Sequence, residues 1–493
     1  MESRGNSKMQ DSHFFHKEDL VNILDRCLNK TLGEVDKNHV FDKTKQHPKI
    51  TGIAGDVVEQ SILGYPADNK QEPDLNIDGI KTELKTTGIR YSKKEKKKYE
   101  AKEPMSITAV SPDKIVTEVF EDSKFWHKLE HLLFVYYLYD SDRTVTAAQY
   151  ADFFIKGYHF YEFNDSHREI LANDWTIVRD FILSLQKDYD DYESQYPRIS
   201  SELRPKLLFI DTAPKWPNSP RFRLKRTVVT RIVQEHFGDQ LEQLPGKYTS
   251  YGDIDKKCNE LTSTFAGYTT LQLINHYEVT GNHENKSILE RIIVRMFGGQ
   301  SEKIQQIALF NEIGLLAKTI TLTKKGLRTE DMKLFCIDFE ECLNPDITFE
   351  NSSFREFFAN QQMLCIIFEE PSSEAALVEN KFVGFKRLVF DDEFIEAHVK
   401  SVWERIRYLI INDELKDVVR VDSKTGKPKI NKTGIIQSAP NFPKAADGLI
   451  FVRGSGTDSR FKIEEVNGIK MYRQWIWIKG SYIADRLSQI DFL

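Results

Sequence analysis

The chain has 493 residues, 40% apolar and 12% aromatic, which suits two or three domains with sizeable cores and excludes a largely disordered or collagen-like polymer. Its 69 Lys+Arg against 75 Asp+Glu leave a net charge of −6. That excludes a general coat of positive charge but not a basic groove, since a Debye length of ~8 Å makes local clusters matter more than the sum.

The opening residues MESRGNSKMQ lack the apolar core of a secretion signal. The longest apolar run, around Leu132–Tyr139, is far short of the ~18–20 residues needed to cross a bilayer. Five scattered cysteines (Cys27, Cys258, Cys336, Cys342, Cys365) show no CxxC or Cys/His spacing. A reduced, cytoplasmic chain without structural zinc or a membrane partner is the expectation.

In chain order, Leu20, Ile23, Leu24, Cys27 and Leu28 recur at helical spacing and predict a helix over about Glu18–Leu28. A second helix is predicted over Ile53–Leu63, stopped by Gly64 and followed by Pro66. Two strands follow, Leu75–Ile77 and Ile80–Thr87, joined by the tight-turn pair Asp78-Gly79. The charge run Lys93–Lys98 reads as a solvated loop or as an arm against phosphates. A buried strand is expected in Phe125–Tyr139 and a helix near Trp175–Leu185. Residues 101–200 are acidic, whereas Arg204–Arg231 is basic and interleaved with aromatic residues.

Turn residues over 238–252 predict a domain boundary, giving domains of about 1–240 and 250–493. Beyond it the pattern repeats weakly. The helix Ser287–Phe297 with Gly298-Gly299 echoes Ile53–Gly64, the strand Gly314–Thr321 echoes Ile80–Thr87, and Met363–Phe368 echoes Leu132–Tyr137. Arg473–Leu487 echoes Arg221–Val233: an alternating strand, a lysine (Lys479 or Lys225), then a helix. Four matches in one order predict two tandem copies of one α/β fold.

The chemistry concentrates in Glu72–Lys85. An alternating strand puts Glu83 and Lys85 on one face and Leu84 on the other. Asp74, across the turn, can meet Glu83. Two carboxylates and the Leu84 carbonyl are hard oxygen ligands of the kind Mg²⁺ takes, and such an ion acidifies water and stabilises charge on an attacked phosphodiester. Lys85 can orient or deprotonate that water. Glu59, on the preceding helix, is a candidate third carboxylate, and Lys128 stands just before a buried strand, where a charge needs a partner. By spacing alone, an exposed hairpin with an ordinary salt bridge fits equally well.

The segments GIAGDVVEQSILG, EPDLNIDGIKTELKTT and FWHKLEHLLFVYY, with Leu28–Val35 before them, resemble the MutH family. That family comprises mismatch-repair nicking endonucleases and GATC-cutting type II restriction endonucleases of the Sau type, all with a PD-(D/E)xK fold: α/β, a mixed central sheet flanked by helices. The resemblance implies that Asp74, Glu83 and Lys85 form the catalytic triad, with Glu59 an auxiliary carboxylate and Lys128 a second lysine. It further implies Mg²⁺ held by Asp74, Glu83, Glu59 and Leu84. Leu203-Arg204-Pro205-Lys206 resembles the family's base-reading loop, whose arginine can pair with guanine in the major groove. Arg223 and Lys225 fall in a segment that also approaches DNA, and Thr51-Gly52 takes the place of a Lys-Gly pair.

The back half resembles the second, degenerate domain of the Sau-type enzymes. Glu290 and Lys318 keep the places of Glu59 and Lys85, but Leu316 replaces Glu83, no Asp stands near Leu309, and Ala359 falls about where Lys128 would be. This copy is expected not to cut. Asn441–Ala446 still resembles the recognition loop, so Phe442, Lys444 and Lys479 are expected to meet DNA, at a second, effector site. The expected protein is therefore a Mg²⁺-dependent endodeoxyribonuclease of restriction type, cutting double-stranded DNA at GATC to leave 5′-phosphates. Two chains meeting on DNA and a protective methyltransferase in the same system are further expectations. A repair-type nickase and an inert sequence-specific DNA-binding protein are the alternatives.

Overall fold

The computed structural model describes residues 13–48, 50–66, 72–92, 97–141, 145–213, 220–328, 330–345, 347–422, 425–431, 434–456 and 462–493. Most of the lysine-rich run at 93–98 lies outside them. The chain divides into two compact units. The first extends to Gln243 with returns at Lys247–Asp253 and Asn311–Ile313, and the second holds Leu244–Gly246, Ile254–Phe310 and Gly314–Leu493. Among the described residues no helix is long and apolar enough to cross a membrane.

The first unit is built on a mixed sheet. Its strands are β1 (Phe14–Phe15), β2 (Leu75–Ile77), β3 (Ile80–Tyr91), β4 (Tyr99–Ala101), β6 (Leu132–Leu138) and β7 (Ile155–Tyr161), in the order β1-β2-β3-β6-β7 with β4 on the far end of β3. β3 runs parallel to β6, pairing Glu83 with Leu132 and Lys85 with Phe134. Paired residues share a face, so Glu83 and Lys85 lie on one side, and Leu84, Leu133 and Val135 on the other. The helix Lys17–Asp25 and the segment Ile53–Leu63 cover that second side, with Leu20, Leu24, Ile53, Val57 and Val58 in one core with Leu84. Each such side chain contributes about 1.5–3 kcal/mol on burial. A second, antiparallel sheet has the order β5-β9-β8, from β5 (Met105–Ala109), β8 (Ile210–Ala213) and β9 (Arg221–Leu224). The helix Arg226–His236 follows β9.

The expected elements are present with shifted bounds: the first helix ends at Asp25, the strand expected in Phe125–Tyr139 starts only at Leu132 after the helical turn Lys124–His127, and β3 runs on to Tyr91. The helix expected near Trp175–Leu185 runs over Asp165–Asp188, its start set by Asn164, whose side chain caps His167. Polar residues on the outer face of its first turns hide the apolar stripe from a periodicity search. Over Ile53–Leu63 the chain is α-helical to Val57 and then a π-helix to Leu63, ended by Gly64 at φ 80°.

The second unit has the same kind of sheets. β10 (Leu315–Thr323) runs parallel to β12 (Gln362–Glu370), which is antiparallel to β13 (Lys381–Leu388). This is the arrangement of β3, β6 and β7. The sheet β11-β19-β16, from β11 (Met332–Cys336), β16 (Ile450–Ser455) and β19 (Arg473–Ile478), is antiparallel like β5-β9-β8. The helix Gly480–Ser488 follows β19. Two hairpins are additional: β14 (Asp417–Val419) with β15 (Ser438–Pro440), and β17 (Glu464–Val466) with β18 (Ile469–Met471).

Candidate active site

The site begins with a two-residue turn. Asp78 (φ 50°) and Gly79 (φ 92°) both take positive φ, which suits the right-handed twist of a tight hairpin. The Asn76 side chain accepts from Gly79 N at 2.8 Å. This fixes the register: Ile77 opposes Ile80 and Leu75 opposes Thr82, so Asp74, one residue before β2, falls opposite Glu83.

Glu83 is 1% exposed, so its charge must be met inside the protein. Two lysines meet it. Lys85 Nζ donates to Glu83 Oε1 at 2.8 Å, and Lys128 Nζ donates to both oxygens at 3.0 Å. Lys128, itself 9% exposed, is placed by the turn Lys124–His127, which Ser123 caps by accepting from Trp126 N. The partner that a charge before a buried strand required is therefore Glu83.

Asp74 completes the cluster. Its Oδ2 accepts from Leu84 N at 3.0 Å. Burial, and next the Glu83 charge, push its carboxyl up to about 6, against the pull of Lys85, Lys128 and the Leu84 amide. His13 Nδ1 lies 2.7 Å from the Asp74 carbonyl and ties down the backbone there. Glu83 N donates to His131 O, toward β6, so the N–H and C=O of Leu84 point the other way, to the edge where β2 has ended. The Leu84 carbonyl thus shares an edge with the Asp74 carboxylate.

This donor set fits a hard divalent ion. A carboxylate raised by burial and then by a second carboxylate beside it, next to a strand-edge carbonyl, gains by taking a cation. Mg²⁺ needs only one or two carboxylates because it keeps waters. Among the described residues no three His, Cys, Asp or Glu side chains form a metal-holding group. The segment Ile53–Leu63 packs its apolar residues on the Leu84 side of the sheet, with Glu59 in the π-helical turn.

The expected DNA-contacting residues divide by exposure. Thr51, Gly52 and Lys206 are exposed, and Arg204 and Pro205 half-buried, in a turn closed by Lys206 N on Leu203 O. Two others, Lys225 and Phe442, are corrected, and Arg223 is already paired within the protein. Lys225 is 3% exposed and donates Nζ to Leu207 O, inside the fold and not toward a ligand. Arg223 clasps Asp211 across the strands, with Nε 2.7 Å from Oδ1 and Nη2 3.0 Å from Oδ2. Phe442 is 1% exposed and stacks on Phe339 at 5.6 Å, so it is core. In all three the residue type suggested a contact, while long-range packing had already claimed the side chain.

In the second unit the place of Glu83 holds no acid. Leu316 stands in β10 opposite Met363, where β3 has Glu83 opposite Leu132. Ala359 is buried at the end of the helix Ser353–Asn360. Lys318 Nζ lies 3.4 Å from Lys333 O. Glu290 is half-buried in the helix Ser287–Met296. Beside the loop 441–446 lies a cleft of about 780 Å³ whose lining includes Arg420, Lys444, Arg453, Lys462 and Tyr472. Burial, and next the Arg420 charge, lower the Lys444 ammonium. Lys479 is half-buried at the N-cap of Gly480–Ser488.

Sequence reading missed two features. A cavity of about 390 Å³ lies against the hairpin, lined by Pro73, Ile80, Lys81, His127, Glu130 and His131. A further echo also went unread: Phe120-Glu121-Asp122-Ser123 and Phe349-Glu350-Asn351-Ser352 build the same cap. In each the serine hydroxyl donates to the phenylalanine carbonyl, at 2.6 and 2.7 Å, and accepts from the amide three residues on. The shared letters F-E-x-S were the available signal.

Residues 63–174 match the profile of the DNA mismatch repair enzyme MutH, a span that holds Asp74, Glu83, Lys85 and Lys128 but neither Glu59 nor the 203–206 turn. Over 417 residues the chain is 23% identical to the type II restriction enzyme Sau3AI of Staphylococcus aureus, covering 79% of each. The resemblance read from the motifs is thereby borne out, and the mixed α/β fold is of the PD-(D/E)xK kind.

Proposed function

We propose that this chain is a type II restriction endonuclease whose first unit hydrolyses DNA and whose second does not. The observation that carries the reading is the hairpin: Asp74 opposite Glu83, with Lys85 and Lys128 both on the Glu83 carboxylate. Its likeness to MutH and to Sau3AI supports the same activity.

Asp74, Glu83 and the Leu84 carbonyl would hold Mg²⁺. When bound, the ion supplies positive charge against the attacked phosphodiester and acidifies the attacking water. Lys85 orients that water and balances the developing charge. Lys128, bonded to both oxygens, holds the Glu83 carboxylate fixed in direction. In-line attack leaves a 5′-phosphate. The Arg204-Pro205-Lys206 turn reads bases in the major groove, and GATC is the target inferred from the family.

The second unit has no acid in the place of Glu83, and its cation-lined cleft beside Lys444 suits phosphates of a second DNA site, which acts as effector. Two chains meeting on DNA, and a methyltransferase that protects the host, complete the expected system. Digestion of modified and unmodified plasmids with Mg²⁺, followed by sequencing of the ends, tests activity, site and product together. Cutting of both strands by the purified protein alone excludes the partner-dependent nickase.

A further inference from the structure

Asp174 is 0% exposed, on the inner face of the helix Asp165–Asp188. Its carboxylate accepts three consecutive amides, Leu208 N at 2.9 Å, Phe209 N at 2.7 Å and Ile210 N at 3.1 Å. Lys225 grips the same stretch from the other side. Its Nζ donates to Leu207 O and its backbone N to Phe209 O at 2.8 Å. Every link falls on the four residues that directly follow Arg204-Pro205-Lys206. Burial lifts Asp174 to about 6 despite those amides and Lys225, so the arrangement is costly.

The second unit shows that the fold does not require that cost. Its helix Lys400–Ile411 carries the same signature: Trp403 under Arg407 at 4.7 Å, as Trp175 lies under Arg179 at 5.4 Å. Aligned on these tryptophans, buried Leu171, Trp175, Val178 and Ile182 fall on buried Val399, Trp403, Ile406 and Ile410. Asp174 falls on buried Val402. Lys479 matches Lys225, with its backbone N on Leu449 O at 3.0 Å, yet its side chain is half-exposed and makes no hydrogen bond or ion pair among the described residues. An apolar residue therefore serves this packing position, and the buried charge pair accompanies only the loop that carries Arg204.

We propose that Asp174 and Lys225 are positioning residues that clamp residues 207–210 and so hold the Arg204-Pro205-Lys206 turn in one geometry, setting how strictly the enzyme discriminates its site. A bidentate arginine–guanine contact tolerates little displacement, so a loose turn costs discrimination before it costs folding. The inference rests on the reading that this turn meets DNA.

The test uses the full chain with Asp174→Asn, and the double variant Asp174→Val with Lys225→Met, which copies the apolar solution of the second unit. Three quantities are read: thermal stability, hydrogen exchange of the 207–210 amides, and the ratio of cleavage rates at the preferred site and at sites altered by one base pair. The expected result is amide exchange at least tenfold faster and a ratio at least tenfold lower in both variants, with the double variant keeping its stability. Unchanged exchange at 207–210 in a folded variant overturns the clamp. Faster exchange with an unchanged ratio overturns the link to discrimination if Arg204→Ala does lower the ratio. If Arg204→Ala also leaves the ratio unchanged, the DNA-reading assignment of the turn has failed instead, and the link to discrimination falls with it.

Discussion

Lys128 Nζ lies 3.0 Å from both carboxylate oxygens of Glu83, joining the end of one short helix to the second strand of the hairpin 45 residues earlier. Because Glu83 is 1% and Lys128 9% exposed, neither charge has water to fall back on. Removing the lysine leaves Glu83 with Lys85 alone. Lys128→Met is expected to destabilise the chain by about 1–3 kcal/mol and to slow cleavage, as read by urea unfolding and plasmid nicking. An unchanged unfolding midpoint would show that the pair contributes nothing.

Acid should weaken metal binding before it unfolds the protein. The Asp74 carboxyl is raised to about 6, so it is ionised above that pH and increasingly protonated below it. Protons then compete with the cation, and the Mg²⁺ concentration for half-maximal cleavage should rise steeply as pH falls from 7 to 5. A flat Mg²⁺ requirement over that range argues that Asp74 is not a ligand.

Stability carries its own pH signature. His159 stacks on His236 at 4.7 Å, and burial, then the neighbouring His236, lower its imidazole from 6.5 to about 4. A depressed histidine stays neutral in the folded state while the unfolded chain takes up a proton, so its contribution is present above about 6.5 and is lost as pH falls toward about 4. Chemical denaturation of wild type and His159→Gln from pH 7 to 4 should show the wild type losing more stability than the variant. Parallel curves would remove this assignment.

If the second unit occupies its own DNA site, a plasmid with two target sites should be cut faster than one with a single site. Arg420→Ala combined with Lys462→Ala, in its cation-lined cleft, should reduce that advantage without touching Glu83. Equal rates on one-site and two-site plasmids rule out the effector role.

Local sequence carried the hairpin because its determinants are local. Asp78-Gly79 fixes the turn, the turn fixes the register, and the register places Asp74 opposite Glu83. The ligand-contact assignments of Lys225 and Phe442 failed for the converse reason. Leu207 and Phe339 occupy them, and no spacing rule announces a partner at such separations. Asp174 was silent in sequence since a lone aspartate on a helix is ordinarily a surface residue. Only the three amides gathered on it, and Val402 in its place in the second unit, reveal its work.

The most direct measurement is cleavage of supercoiled plasmid with Mg²⁺ by wild type, Glu83→Ala and Lys85→Ala, with DNA binding followed in parallel by gel shift in Ca²⁺. The account predicts sequence-specific linear product with 5′-phosphate ends from the wild type. It predicts losses of about 10²–10³-fold or more in both variants, with binding retained. Undiminished cutting by Glu83→Ala would contradict it, because the carboxylate on which both lysines converge would then have no part in the chemistry.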